Sequence, residues 1–162
     1  MLGSFDDLVA MLTKEDVPYE ATPSKRSVRI ATHRGGVDGV QVIRWQSEDG
    51  VVQFIQSVIG GVPVDRLPAI AEAVARLNHA LPIPGLDLGH DNGLVAYRLI
   101  LWMTPDGEVE PDAVRACFRF AARTGSDMVA ILARVAAGEA EASDVVNDAR
   151  RAAAPPTPHS LD

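Results

Sequence analysis

Four histidines (His33, His79, His90 and His159) and one cysteine (Cys117) are the residues best suited to hold a metal or attack a substrate. None of the histidines forms an H-x-x-x-H pair or an H-E-x-x-H motif, the spacings that put two imidazoles on one helix face. His79 and His90 approach each other only across the break at Pro82 to Gly85, and no cysteine accompanies them. Surface or boundary histidines are therefore expected rather than a metal site. Cys117 lies between Ala116 and Phe118 with no identifiable base. A free cysteine packs as a small hydrophobe, so a core position is expected over a nucleophile. Asp87, His90 and Asp91 are close in sequence and an acid–base site can be drawn there, but turn chemistry accounts for Asp91 and solvent exposure for Asp87. No serine sits in a G-x-S-x-G elbow. The pairs Gly35-Gly36 and Gly60-Gly61 lack the Gly-Lys-Ser/Thr of a phosphate loop. Lys25, Arg26, Arg29 and Arg34 form a basic cluster that reads first as a solvated face and second as recognition of an acidic peptide. These residues point to no catalysis and no cofactor.

The chain that must position them has 162 residues, a one-domain length. Hydrophobic residues make up 47% and charged residues 23%, the ordinary globular mixture. A net charge of −7 argues against nucleic acid or an anionic membrane as the main partner. The single cysteine excludes an internal disulfide. The acidic start, Met1 to Asp7, does not read as a signal peptide. No apolar run approaches the roughly 20 residues that span a bilayer. A cytoplasmic protein is expected.

Local patterns then divide the chain. Ser4 and Asp7 make a short-armed capping box for a helix that buries Phe5, Leu8, Val9 and Leu12, with Val17-Pro18 ending it. Ser27 to Thr32, Val40 to Ser47 and Val51 to Ile59 read as a meander of strands, with Tyr19 to Ala21 as a candidate short edge strand. Arg34 to Gly39 reads as a loop and Glu48-Asp49-Gly50 as a hairpin turn. Asp65 is placed to cap a second helix, whose stripe is Leu67, Ile70, Val74, Leu77 and Leu81. Asp91-Asn92-Gly93 is the sharpest turn signal in the chain and joins Gly85 to His90 with Leu94 to Met103 in one hairpin. Pro111 opens a third helix with a seam of Val114, Phe118, Ala121, Gly125, Met128, Leu132 and Val135. Gly125 costs a helix about 1 kcal/mol relative to alanine. Either a neighbour approaches the backbone there or the helix breaks, and one continuous helix with a close contact is expected. Gly138 ends it. Residues 139–162 form a tail in which Ser143 to Ala153 makes at most a marginal helix and the prolines from Pro155 onward read as disorder.

The resulting fold is α+β, a two-layer domain over residues 1–138 with the order α-β-β-β-α-β-β-α and an antiparallel five-stranded sheet. This order resembles the YbjN domain family, which shares a fold with type III secretion chaperones. The matching residues are Val62-Pro63, Leu77-Asn78, the Ile83 to Asp87 stretch, Asn92-Gly93 and Tyr97-Arg98, and the likeness runs from Ser4 to Gly138. It leaves the His33-Arg34-Gly35-Gly36 loop unmatched. It implies helices on one sheet face and a non-enzymatic role in binding a protein or peptide, often as a homodimer. In the related chaperones the short fourth strand and second helix often form the two-fold interface, which places Leu86 and Leu88 at that edge.

One surface stands out. Val95, Tyr97, Leu99, Leu101 and Met103 alternate onto the helix-covered face of the last strand. The opposite face carries Leu94, Ala96, Arg98, Ile100 and Trp102, and Arg44 shares it with Val42 alongside. If helices cover only one side, Ile100 and Trp102 lie on an open face rimmed by arginines, the kind of patch that marks a binding surface. The rival readings are a Trp102 covered by the segment after Gly138, or a bulge that inverts the face.

Overall fold

The computed structural model describes residues 1–153. Helix α1 (Phe5–Lys14) begins as its sequence directs. The Ser4 hydroxyl accepts the Asp7 amide at 3.1 Å, and the Asp7 carboxylate accepts the Ser4 hydroxyl at 2.9 Å and the Gly3 amide at 3.0 Å. Those donors, the Ser4 hydroxyl foremost, hold the Asp7 carboxyl below its ordinary pKa. A depressed carboxylate stabilises the fold above its unfolded pKa and loses that contribution as pH falls through the folded one. The stability gap between the wild type and Asp7→Asn is therefore expected to close on acidification below about pH 4. A gap in urea midpoint that is constant from neutral pH down to pH 3 contradicts this. The helix ends before Val17-Pro18. Asp16 takes φ 55°, and the Val17 amide reaches back to the Leu12 carbonyl at 3.0 Å, a left-handed C-terminal cap.

Among the described residues six strands follow, one more than the expected five: β1 (Glu20–Thr22), β2 (Ser27–Arg34), β3 (Val37–Gln46), β4 (Val51–Ile59), β5 (Leu86–Gly89) and β6 (Leu94–Trp102). The extra strand is the three-residue β1, which pairs with Ser27 to Arg29 at one edge. The sheet order is β1-β2-β3-β4-β6-β5, and every paired neighbour is antiparallel. The stretch read as an Arg34–Gly39 loop is a two-residue turn. Gly35 (φ 57°) and Gly36 (φ 78°) both take the left-handed conformation that matches strand twist, so Val37 to Gly39 continue the ladder.

Helix α2 (Leu67–Ala80) is preceded by a single 3-10 turn, Val64–Arg66. Asp65 lies within that turn and does not cap the helix, whose N-cap is Arg66. Helix α3 (Pro111–Ala137) is continuous through Gly125. A Cβ at Gly125 would collide with the side chain of Gln56 in β4, so the glycine permits the close approach of helix to sheet. Gly138 ends α3 at φ 77°, and the Arg66 guanidinium donates to the Val135 carbonyl from Nη2 at 2.6 Å. This satisfies one of the carbonyls that a helix end leaves open.

One core lies between the helices and a single sheet face. Val28, Ile30, Ile43, Val52, Phe54 and Tyr97 are buried from the sheet, against Leu8, Leu12, Ile70, Leu77 and the inner seam of α3. The packed region extends past residue 138. A fourth helix, α4 (Val145–Ala153), follows α3, and Ala142 and Val145 are buried in the same core. The proline-rich stretch read as a disordered tail lies outside the described residues.

Candidate binding surface on the open sheet face

Strand register decides which side chains share the uncovered face. In an antiparallel ladder, directly opposed residues point to the same side. Arg29, Val42, Ile55 and Arg98 are opposed in one row across four strands. The next row is Ser27, Arg44, Gln53 and Ile100, and the one after it Gln46, Val51 and Trp102. The four partner-binding candidates, Arg44, Arg98, Ile100 and Trp102, therefore stand on one surface, with Val42 and Ile55 between Arg29 and Arg98. Trp102 is 74% exposed and Ile100 is 49% exposed. The irregularity in the β4–β6 pairing lies between Ser57 and Ile59, away from these rows, so it does not invert the face of β6. Helix α4 packs on α2 and α3 and leaves Trp102 uncovered among the described residues.

The charges on this surface differ. The Arg98 Nε donates to Asp87 at 2.7 Å, and the Arg29 guanidinium donates to Glu20 at 3.1 Å. Arg44 has no carboxylate partner among the described residues and is exposed. Among the described residues the surface thus offers an apolar centre, two arginines paired with carboxylates and one unpaired cation, Arg44.

Leu86 and Leu88 lie in edge strand β5, but in a different relation to solvent from a ready interface. The Leu86 side chain is buried in the chain's own core and Leu88 is half-buried against it. The outward backbone of Leu86 is also taken. The Asn78 Oδ1 accepts the Gly85 and Leu86 amides at 3.0 and 2.9 Å, and its Nδ2 donates to the Leu86 carbonyl at 2.8 Å. This blunts half of the edge on which strand pairing would have to build.

The residues that carry the family likeness converge on this joint. Besides Asn78, the Tyr97 hydroxyl donates to the Ile83 carbonyl at 2.9 Å. A Cβ at Gly85 would strike the Arg98 carbonyl, and one at Gly93 would meet the Val62 carbonyl at 2.8 Å. They fix α2 to the β5–β6 hairpin. An asparagine in the last turn of a helix, just before a proline-rich break, was the available signal for such a cap.

Among the described residues, those weighed for chemistry form no metal-ligand cluster. His33 pairs with Asp38 across the β2–β3 turn at 2.7 Å. Asp87 is engaged by Arg98, and no group of three or more potential metal ligands forms among the described residues. His159 lies outside them. Cys117 is half-buried, and burial pushes its thiol pKa up, away from the reactive thiolate. The basic cluster also disperses. Arg26 donates to Ser47, Arg29 faces the open surface, and Arg34 reaches the helix side, 4.0 Å from Asp127.

The fold and its surface define a class: an α+β domain with helices on one sheet face and an apolar, arginine-rimmed face left open. The family model for YbjN, described as "Putative bacterial sensory transduction regulator", matches residues 4–133. The chain belongs to the YbjN family. No curated protein and no solved structure matches it. Among the described residues no helix is long and apolar enough to cross a membrane.

Proposed function

We propose that the chain is a non-enzymatic, cytoplasmic binding module that holds a protein or peptide partner through its open sheet face. The observation that carries this reading is a tryptophan and an isoleucine standing exposed on one sheet face beside Arg44 and Arg98. Solubility alone selects against such a patch. Tryptophan and arginine are the side chains that dominate interface energetics. A regulator that acts by contact needs a surface of this kind, and the family description is consistent with it.

The second reading is that the partner is another copy of this chain. The half-capped β5 edge favours a two-fold contact through the open face over one through Leu86 and Leu88. In both readings Trp102→Ala weakens the contact by about 2 kcal/mol or more, as removal of an aromatic anchor does. Arg98→Ala mainly changes the on-rate and its salt dependence. Light scattering of the wild type and of Trp102→Ala separates the two. A dimer that becomes a monomer identifies self-association, and a monomer in both cases directs the test to partners recovered with wild type and lost with the variant. The variant keeps the wild-type denaturation midpoint, because Trp102 lies outside the core. A Trp102→Ala protein that associates normally but unfolds easily overturns the assignment.

A further inference from the structure

A second surface lies on the other side of the molecule, where the far end of β2 meets α3. Among the described residues β1 covers β2 only from Ser27 to Arg29, so no strand pairs with the edge of β2 from Ile30 onward, although Pro18 and Tyr19 lie near Ala31. Hydrogen-bonded pairs alternate along an antiparallel ladder. The two-residue turn closes on Arg34 and Val37, so Arg34, Thr32 and Ile30 direct their backbone groups to β3. Ala31 and His33 direct theirs outward. Two residues of strand separate equivalent groups by about 6.7 Å, the repeat of any second extended chain.

Beside this edge runs a groove of about 620 Å³ between β2 and α3. Phe118 and Phe120 contribute apolar surface, and Arg34, Arg119 and Arg123 line it. Among the described residues the carboxylate that meets these arginines is Asp127, 4.0 Å from Arg34 and 3.8 Å from Arg123, while Asp38 pairs with the groove-lining His33 at 2.7 Å. Arg119 has no carboxylate partner among the described residues and is exposed. Three arginines against Asp127 and the His33-bound Asp38 leave the groove cationic in a chain whose net charge is −7.

We infer that the β2 edge and this groove bind an extended acidic peptide segment, which adds a short strand at Ala31 and His33 and points alternate carboxylates at Arg34, Arg119 and Arg123. The outward backbone groups of Ala31 and His33, unpaired among the described residues, supply the directional bonds of strand addition. The arginines select sequence, because every second side chain of the added strand faces the groove. The site is independent of the open-face reading, which uses the opposite side of the sheet.

The test is fluorescence anisotropy with a labelled peptide in which glutamate alternates with threonine, and with its lysine counterpart. The wild type binds the glutamate peptide saturably, more weakly as salt rises, and does not bind the lysine peptide. The double variant Arg119→Glu/Arg123→Glu loses at least tenfold in affinity. Ala31→Pro removes the outward amide while sparing the ladder to β3, a position at which an edge strand tolerates proline. It loses affinity several-fold with its circular dichroism unchanged. Trp102→Ala binds like the wild type. Amide resonances of Ala31 and His33 shift on titration, a readout on the wild-type chain that does not depend on Ala31→Pro folding. Absence of saturable binding by the wild type overturns the inference. So does equal binding of the lysine peptide, full affinity in a folded Ala31→Pro, or peptide-induced shifts confined to the open face.

Discussion

Leu132→Ala is expected to lower the stability of the protein by about 2–5 kcal/mol. Leu132 is completely buried, in the seam of α3 between Met128 and Val135. Its methyl groups lie within the single core that joins the helices to the sheet. Truncation removes their transfer free energy and leaves a cavity, because a helix held at both ends cannot collapse into the gap. Gly125 sits two turns earlier against Gln56, and Arg66 holds the last turn at the Val135 carbonyl. Urea denaturation measures the loss directly. A midpoint equal to the wild type shows that the seam is not buried in solution.

The second large effect is expected at Asn78. Asn78→Ala removes the acceptor of two amides and the donor to one carbonyl at the joint between α2 and β5. Each backbone group left without a partner in a buried setting costs about 1–3 kcal/mol. These groups are half-buried and water returns to some of them, so the expected loss is about 2–3 kcal/mol. Asn78→Asp keeps the acceptor for both amides and loses only the donor, so it falls between the two. The substitution also frees the outward backbone of Leu86, and an uncapped edge strand invites pairing with another chain. Light scattering of Asn78→Ala should therefore show mass growing with concentration beyond that of the wild type. A variant as stable as the wild type and identical in mass removes the cap from the account of this joint.

The capping role of Asn78 illustrates why some of the site was legible and some was not. Asn78 was visible as part of a pattern, but its partners depend on how the Pro82–Gly85 break returns the chain to the helix end. The open face was readable further. Alternation along β6 separates Val95, Tyr97, Leu99 and Leu101 from Arg98, Ile100 and Trp102, and the placement of Arg44 on the second set agrees with the ladder. The dimer edge was less so. A strand position says that Leu86 lies at an edge, and not that its side chain is buried and its backbone already bonded.

Features set within a few residues belonged to the sequence by itself. The Ser4–Asp7 cap, the αL glycine of the Ser47–Gly50 turn, the Asn92-Gly93 turn, the apolar stripe of α2 and the seam of α3 all follow from side chains spaced by one turn or one strand repeat. Their energetics are local, and the α+β order follows from them. Where the local signal was ambiguous, packing decided. The edge strand β1 exists because β2 offers it a partner, and the segment after Gly138 forms α4 because Ala142 and Val145 find the core. Only the tertiary structure brought distant residues together. The Gln41 amide donates to the Phe118 carbonyl from 77 residues away, and Gln56 receives Gly125. Arg34 left its sequence neighbours Lys25, Arg26 and Arg29 to join Arg119 and Arg123 beside the part of β2 that β1 does not cover. No spacing along the chain encodes such a meeting, because it depends on sheet register and on the line along which α3 crosses the sheet.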